Sequence, residues 1–373
     1  MASSTTPYAS KGRRVAIQLE STPGTPDPVG ATTYMVPATE FTYTIDRGTG
    51  MIDRAATLDG FPGAMCLVPG SRGASFTLTT EIHDTDLTAV QDPNYYFTHM
   101  LLGCGLAADD STTPTTLFDP SHEQITGATG ITAGGTEGPQ SLTVYNYYVD
   151  PAGSTPTGVT NYQNRFRGST GALELTLNAG EVATATMSGV GTLESGDWID
   201  AADPALPTSF DSSVSCKPYV VRSASIQLTD SPNGAGNPAD IITLSELTIT
   251  YNAETPENPD PTQEFGFGIS PVLFQTAPTI TFSIGATNEN NGFGAFAGFL
   301  QQFRDGAEGS LSVILDTGDN ATTTLQIGIG RLQYTGVTWE SNAGYETYSI
   351  EASCVRQPGD VGPPVRLSLT RLP

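Results

Sequence analysis

Short segments in which apolar and polar residues alternate recur along the whole chain, and clusters of turn-forming residues separate them. Alternation with a period of two places the apolar side chains of a strand on one face, so each segment predicts a half-buried β-strand. The segments are Val15 to Leu19, Phe41 to Ile45, Ser75 to Thr79, Leu142 to Tyr147, Leu173 to Leu177, Leu247 to Tyr251, Thr279 to Ile284 and Leu325 to Ile329. Turns such as Asn233-Gly234 and Asn291-Gly292 interrupt any helical period. The fold class is therefore predicted to be all-β, a sandwich or a barrel.

The composition agrees with many short strands joined by turns. The 373 residues include 41 Gly and 27 Pro, which punctuate secondary structure, and 37% of the residues are hydrophobic, which is enough for a folded core. This length fits one large or two medium domains. Two short helices are also predicted, at Asp92 to Leu102, where an Asp cap precedes Pro93, and at Phe293 to Phe303.

Two parts of the sequence repeat the same strand pattern. Thr39 to Thr44 matches Ser245 to Thr250, which lies 206 positions later, and Ser75 to Leu78 matches Thr281 to Ile284 at the same distance. The constant distance indicates that the register of the first copy is kept in the second.

The repeat continues with a smaller offset. Arg167 and Asn178-Ala179-Gly180 reappear 164 positions later as Arg331 and Asn342-Ala343-Gly344. The second copy has therefore lost residues, mainly the Gly- and Thr-rich segment Ala107 to Gln140, which is predicted to be an exposed excursion of the first copy.

The repeat predicts two tandem domains. Residues 1–14 form a flexible arm, 15–200 the first domain with its loop excursion at 107–140, 201–215 a linker and 216–373 the second domain. Each domain carries one short flanking helix.

The charge is strongly negative. Asp and Glu number 39 against 15 Lys and Arg, a formal net charge of −24, and Lys11 and Lys217 are the only lysines. Since nucleic-acid readers obtain much of their affinity from cations that neutralise phosphates, this class is disfavoured.

We find no sequence pattern for catalysis, a metal or a cofactor, so we predict no enzyme and no catalytic, cofactor-binding or metal site. The three histidines, His83, His99 and His122, have no metal-ligand spacing, and His99 is expected to be a packed structural residue of the first helix. Neighbouring carboxylates are expected to be solvated surface groups: Asp84 with Asp86, Asp109 with Asp110, and Glu254 with Glu257.

The four cysteines and the hydropathy pattern indicate in which cellular compartment the protein is made. Cys66, Cys104, Cys216 and Cys354 are far apart in sequence, so we expect free thiols. The stretch Met1 to Arg14 lacks the apolar run of a secretory signal, and no run of about 18 apolar residues predicts a membrane span. Synthesis in the cytoplasm is expected.

The order of the motifs resembles one known family. Ala16 to Pro26 reads Ala-Ile-x-x-Glu-x-Thr-x-Gly-Thr-Pro and is followed by a strand at Tyr34 to Val36. The later motifs are Arg54, Gly63, Gly70, the Ser75 to Thr79 strand, Leu101 to Gly105, Ser141 to Val144, Arg167-Gly168, Leu175 to Glu181 and a strand reaching Gly191. This series is similar to the tail tube proteins of long-tailed bacteriophages and covers most of the chain.

The resemblance implies a fold and a role in the virion. It implies β-sandwich domains whose sheets join a ring-shaped β-barrel, and rings that stack into the tail tube with other tail proteins as partners. Two domains in each chain would let three chains close a pseudo-sixfold ring, although a hexamer is also compatible. An acidic lumen would let DNA pass without adhering. The alternative is another virion β-protein, from a fibre, a baseplate or the head decoration.

Overall fold

The computed structural model of the chain shows a mostly β protein. It describes residues 13–30, 33–46, 51–52, 68–69, 73–83, 96–112, 115–120, 141–148, 161–193, 198–201, 217–227, 241–243, 246–251, 253–254, 258–259, 267–268, 274–275, 279–285, 308–316, 324–342, 345–354 and 367–372.

The described residues of the first half form twelve strands and one helix. They are β1 Arg13–Leu19, β2 Tyr34–Val36, β3 Ala38–Asp46, β4 Met51–Ile52, β5 Val68–Pro69, β6 Gly73–Glu81, α1 Tyr96–Gly103, β7 Leu106–Thr112, β8 Thr115–Pro120, β9 Leu142–Tyr148, β10 Asn161–Thr176, β11 Thr184–Thr192 and β12 Trp198–Ala201.

The second half contributes twelve more strands to the described part of the chain. They are β13 Val220–Gln227, β14 Ile241–Thr243, β15 Glu246–Tyr251, β16 Ala253–Glu254, β17 Asn258–Pro259, β18 Phe267–Gly268, β19 Phe274–Gln275, β20 Thr279–Gly285, β21 Glu308–Asp316, β22 Thr324–Asn342, β23 Tyr345–Cys354 and β24 Leu367–Leu372.

In the first half, the long strand β10 belongs to two groups of antiparallel strands. Its first part pairs with β9 and β12, and β9 continues to β1 and β2. Its second part pairs with β11, which continues to β6 and β3. The register shifts between Arg167 and Thr170, and a bulge of this kind lets one strand turn from one layer into another.

In the second half, β22 takes the same position as β10. Its first part pairs with β21 and β24, and β21 continues to β13 and β14. Its second part pairs with β23, which continues to β20 and β15. The order of pairing in the first half is thus repeated strand for strand.

Two pairings between named strands join the described parts of the two halves into one large antiparallel sheet. The second part of β10 pairs with β15, and β24 pairs with β8. The first of these produces a continuous run of eight strands, β3-β6-β11-β10-β15-β20-β23-β22, which we name the long sheet. Traced through the pairings of named strands in the described residues, the sheet does not return to an earlier strand. Two isolated bridges, His83 with Pro218 and Val182 with Val220, also link the two halves.

The segment predicted to be a loop excursion contains strands. Residues 106–112 and 115–120 form the hairpin of β7 and β8, and β8 extends the sheet from β24. Residues 121–140 lie outside the described part, as do most of the predicted linker and the predicted helix at Phe293 to Phe303.

The sequence alignment of the two halves is wrong by two residues at one strand. A constant distance of 206 would place Leu247 opposite Ile284, as its equivalent Phe41 lies opposite Leu78, but Leu247 lies opposite Phe282. A slip of two residues preserves the inward and outward faces, so the alternation pattern alone cannot detect it.

The predicted first helix is present as α1, and its eight residues, Tyr96–Gly103, are all buried. Residues 92–95, with the predicted Asp92 cap and Pro93, lie outside the described residues. It ends where Gly105 adopts a positive φ of 82° and donates its N–H to the carbonyl oxygen of Leu102 at 3.0 Å. A Cβ on Gly103 would lie 2.3 Å from the Leu142 side chain, so this glycine permits close packing on β9. The helix is therefore part of the core rather than a surface element.

A buried carboxylate joins three parts of the first half. Glu20 is only 5% exposed, and its two oxygens accept four hydrogen bonds. Oε2 accepts from the Ser141 hydroxyl and the Gly24 N–H, both at 2.6 Å, and Oε1 accepts from the Thr143 hydroxyl at 2.7 Å and the Gly168 N–H at 2.9 Å. The contacts fix the 21–30 loop and the β10 bulge against β9.

One buried and one half-buried tyrosine predict a loss of stability in alkali. Burial, with a contribution from the neighbouring Tyr148 hydroxyl, raises the pKa of Tyr43 to about 12, and burial raises the pKa of Tyr145 to about 12. An unfolded tyrosine titrates near pH 10. The stabilisation is thus complete below about pH 10 and is lost as the pH rises towards 12, because the unfolded chain releases these protons first. Urea unfolding midpoints measured across this range should fall, and less steeply in Tyr43→Phe.

Candidate functional site: the outward face and open edges of the long sheet

The long sheet has one buried face and one polar face. Leu173, Leu175, Ile249 and Phe282 point inward and are at most 1% exposed. The alternate positions point outward and carry mainly Thr, Ser and Glu. The outward face is therefore a polar surface that continues across all eight strands.

Two rows of outward residues cross the strands side by side. The first is Glu40, Thr79, Thr186, Glu174, Thr250, Thr279 and Ser353, and the second is Glu81, Thr184, Thr176, Thr248, Thr281 and Glu351. Within the first row the hydroxyls of Thr79 and Thr186 are hydrogen bonded at 3.1 Å. The rows pass across the β10–β15 pairing without interruption, so the two halves share one surface.

Positive side chains are missing from the strands of this face. The strands β3, β6, β11, β15, β20 and β23, with residues 170–176 of β10 and 332–342 of β22, contain no Lys or Arg. Glu40, Glu174, Glu246 and Glu351 are exposed there. We name this surface the acidic face. A polyanion that meets it finds no cation within the face to replace its counterions.

The long sheet ends in two strands that have a partner on one side only, among the described residues. At one end β3 pairs with β6, and at the other the second part of β22 pairs with β23. We name these the β3 edge and the β22 edge. Within the described residues, each presents backbone N–H and C=O groups that have no strand partner, and such groups are a template for another strand.

The histidines and carboxylates singled out in the sequence do not converge on a site. His99 is buried in α1 with its ring edge-on to Tyr34, 4.9 Å between centroids, as a structural residue would be. His83 Nε2 lies 3.1 Å from the Glu81 carboxylate at the border of the acidic face. His122, Asp84, Asp86 and Glu257 lie outside the described residues, and of Asp109, Asp110 and Glu254 only the backbone is described.

The described thiols do not form a reactive or metal-binding site either. Cys104 and Cys354 are free and buried, and burial raises the pKa of both thiols, so neither is a ready nucleophile. Cys66 and Cys216 lie outside the described residues. Among the side chains that the structure describes, no three His, Cys, Asp or Glu are grouped as metal ligands.

Comparisons with known proteins leave the family open. No family model matches the chain, and no curated protein matches it significantly. In the described part of the chain, no helix has the length and apolar character needed to cross a membrane.

The carboxylates of the acidic face could not be selected from the sequence. Glu40 and Glu246 occupy equivalent positions in the sequence repeat, so the sequence indicates that both halves carry this carboxylate. The repeat does not indicate on which surface the two carboxylates lie. Glu174 and Glu351 come together with them only through the strand pairing.

Proposed function

We propose that this chain is a structural subunit of a bacteriophage tail tube, and that it polymerises into stacked rings whose acidic lumen conducts DNA. The observation that carries the proposal is the long sheet, a single run of strands through both halves with one acidic face and an open edge at each end. Such a sheet can be continued by identical sheets until a ring closes and removes the exposed edges.

The repeated strand order supports two tandem domains of one kind. Each half contributes four strands to the long sheet in the same order. Two equivalent units in each chain would let three chains form a pseudo-sixfold ring. A ring of six chains would still form a tube, with six chains in each ring instead of three.

The acidic face has a physical role in such a tube. Phosphates that pass carboxylates and hydroxyls form no counterion-releasing contacts, so DNA slides instead of binding. In this proposal the protein belongs to the virion tail, its partners are other copies and other tail proteins, and it needs neither a cofactor nor an enzymatic activity.

Electron microscopy of concentrated protein, with mass photometry of a dilute sample, tests the proposal. Stacked rings with a central hole, built from trimers, are the expected result. Monomers that persist when salt screens the charge would overturn the tube assignment and favour a fibre, baseplate or decoration protein.

A charge reversal on the acidic face should make the assembled protein bind DNA. Glu174→Lys places a cation in the first outward row of every copy, and we expect binding that falls steeply with salt. Glu181→Lys is the matched control, since this exposed residue lies in a turn beyond the face and the change in net charge is equal. Fluorescence anisotropy of labelled duplex DNA measures both. Equal binding by the two variants would contradict the assignment of the lumen.

A further inference from the structure

The chain contains an internal example of how two of its repeated units join. At the β10–β15 pairing, Glu174 lies opposite Thr250 and Leu175 lies opposite Ile249. The Leu177 N–H donates to the Leu247 carbonyl oxygen at 2.8 Å and extends the pairing by one step. The edge of one unit is therefore covered by the first strand of the next unit in a defined antiparallel register.

The two open edges are the counterparts of the strands in this junction. The β22 edge occupies the position of β10, since β22 turns from β21 to β23 as β10 turns from β9 to β11. The β3 edge occupies the position of β15, because each pairs with the next strand of its own unit. The two open edges of one chain are thus equivalent to the two strands that pair in its internal β10–β15 junction.

The burial of inward residues distinguishes the joined strands from the open ones. At the junction Leu173, Leu175 and Ile249 are fully buried. The counterpart residues at the open edges, Val337 and Tyr43, pack against the same core but are only partly buried. Among the described residues, the edges therefore have less cover than the internal junction provides.

We propose that the β22 edge of one copy pairs with the β3 edge of a second copy in the register of the β10–β15 junction. Transferring that register places Thr338 opposite Thr44 and Val337 opposite Ile45. The inference rests on the proposed ring for the identity of its partner, a second copy of the chain. It adds the surfaces, the antiparallel direction and the residues that meet.

The register predicts which positions a disulfide can bridge. Leu177 and Leu247 form a hydrogen-bonded pair, so Glu174 and Thr250, an odd number of positions away, form a non-hydrogen-bonded pair. Such pairs have the closest Cα atoms, about 4.5 Å apart, within the range of a disulfide. Thr338 and Thr44 inherit this geometry, and both are exposed in the single chain.

Cysteine cross-linking of the full chain tests the register. In a background with Cys66→Ser and Cys216→Ser, Thr44→Cys with Thr338→Cys should give intermolecular disulfides on oxidation, seen as a ladder on non-reducing gels. Thr42→Cys with Thr338→Cys is the control, because it offers an equally exposed thiol one pleat out of register. We expect at least tenfold more cross-linked chain in the first variant. No cross-linking, or equal cross-linking in both, would overturn the inference.

A proline substitution provides a second measurement. Val337 corresponds to Leu173, whose backbone points to β15, so Val337→Pro should remove a donor only from the open edge. We expect a folded monomer with a single cooperative unfolding transition, whose midpoint falls only by the packing that the partly buried Val337 side chain loses. Wild-type assembly by this variant would overturn the inference.

The results separate this inference from the proposed function. Rings in the microscope without the Thr44–Thr338 cross-link would overturn the pairing and keep the ring. Cross-linked chains that form open filaments without a central hole would keep the pairing and overturn the tube.

Discussion

Replacing Glu20 by Gln should lower the free energy of unfolding by about 3 kcal/mol, since the change affects a buried group that is hydrogen bonded on both oxygens. The carboxylate accepts four hydrogen bonds from two hydroxyls and two backbone N–H groups. An amide keeps the shape but replaces one acceptor oxygen with an N–H₂ donor. The N–H₂ group would face one hydroxyl and one backbone N–H, which are both donors. Whichever of them cannot find another acceptor would be left unpaired. Urea denaturation followed by circular dichroism measures the loss.

An exposed carboxylate is the control for this experiment. Glu174→Gln removes the same charge from the acidic face, and we expect a change within about 0.5 kcal/mol. The comparison separates the buried hydrogen bonds from the effect of net charge. Similar values for the two variants would show that Glu20 is not a structural centre of the first half.

Replacing Gly171 by Ala should destabilise the protein by about 3 kcal/mol through overpacking. A Cβ at this position would lie 2.2 Å from the Ser188 carbonyl oxygen and 2.5 Å from the Gly189 Cα. Both are backbone atoms of β11, so the clash cannot be relieved by a side-chain rotation. The two strands would have to separate beside the bulge that redirects β10. Thermal and urea unfolding both report this change.

Gly30→Ala is the matched control for the clash. The closest atom to a Cβ there is the Pro28 carbonyl oxygen at 3.8 Å, an ordinary contact. We expect a difference within about 0.5 kcal/mol from wild type. If Gly171→Ala unfolds at the wild-type midpoint, the close approach of β10 and β11 at this position is wrong.

The sequence predicts the strands well because a half-buried strand has a local signal. The segment Leu247 to Tyr251 is most of β15, whose side chains are alternately buried and part-exposed. Val15 to Leu19 and Leu142 to Tyr147 are also strands, β1 and β9, but the prediction of one buried face is wrong for them, because both faces are covered. The alternation results from the pleat, so it needs no knowledge of the neighbours. The all-β class and the first helix are predicted on the same local grounds.

The features that the sequence missed depend on partners that are distant in the chain. Residues 106–120 show no clean alternation, and their strands form against β24, far along the chain. Glu20 looks like a surface residue until Ser141 and Thr143 are placed beside it. The exposed carboxylates of the acidic face come from four separate strands, β3, β10, β15 and β23, so the sequence does not show that they share a surface. The two-residue register difference at Phe282 preserves the alternation and therefore leaves no local trace.

The pairing of β24 with β8 joins a strand that is synthesised early to one that is synthesised late. The hairpin of β7 and β8 leaves the ribosome early, but the described strand that continues its sheet is made after all the others. Until then β8 is an unpaired edge that can recruit a wrong strand. The β22 edge is also translated late, whereas the β3 edge is translated early. In the proposed ring, a nascent chain would therefore have its β3 edge before its β22 edge, and closure of the ring would have to wait for released chains.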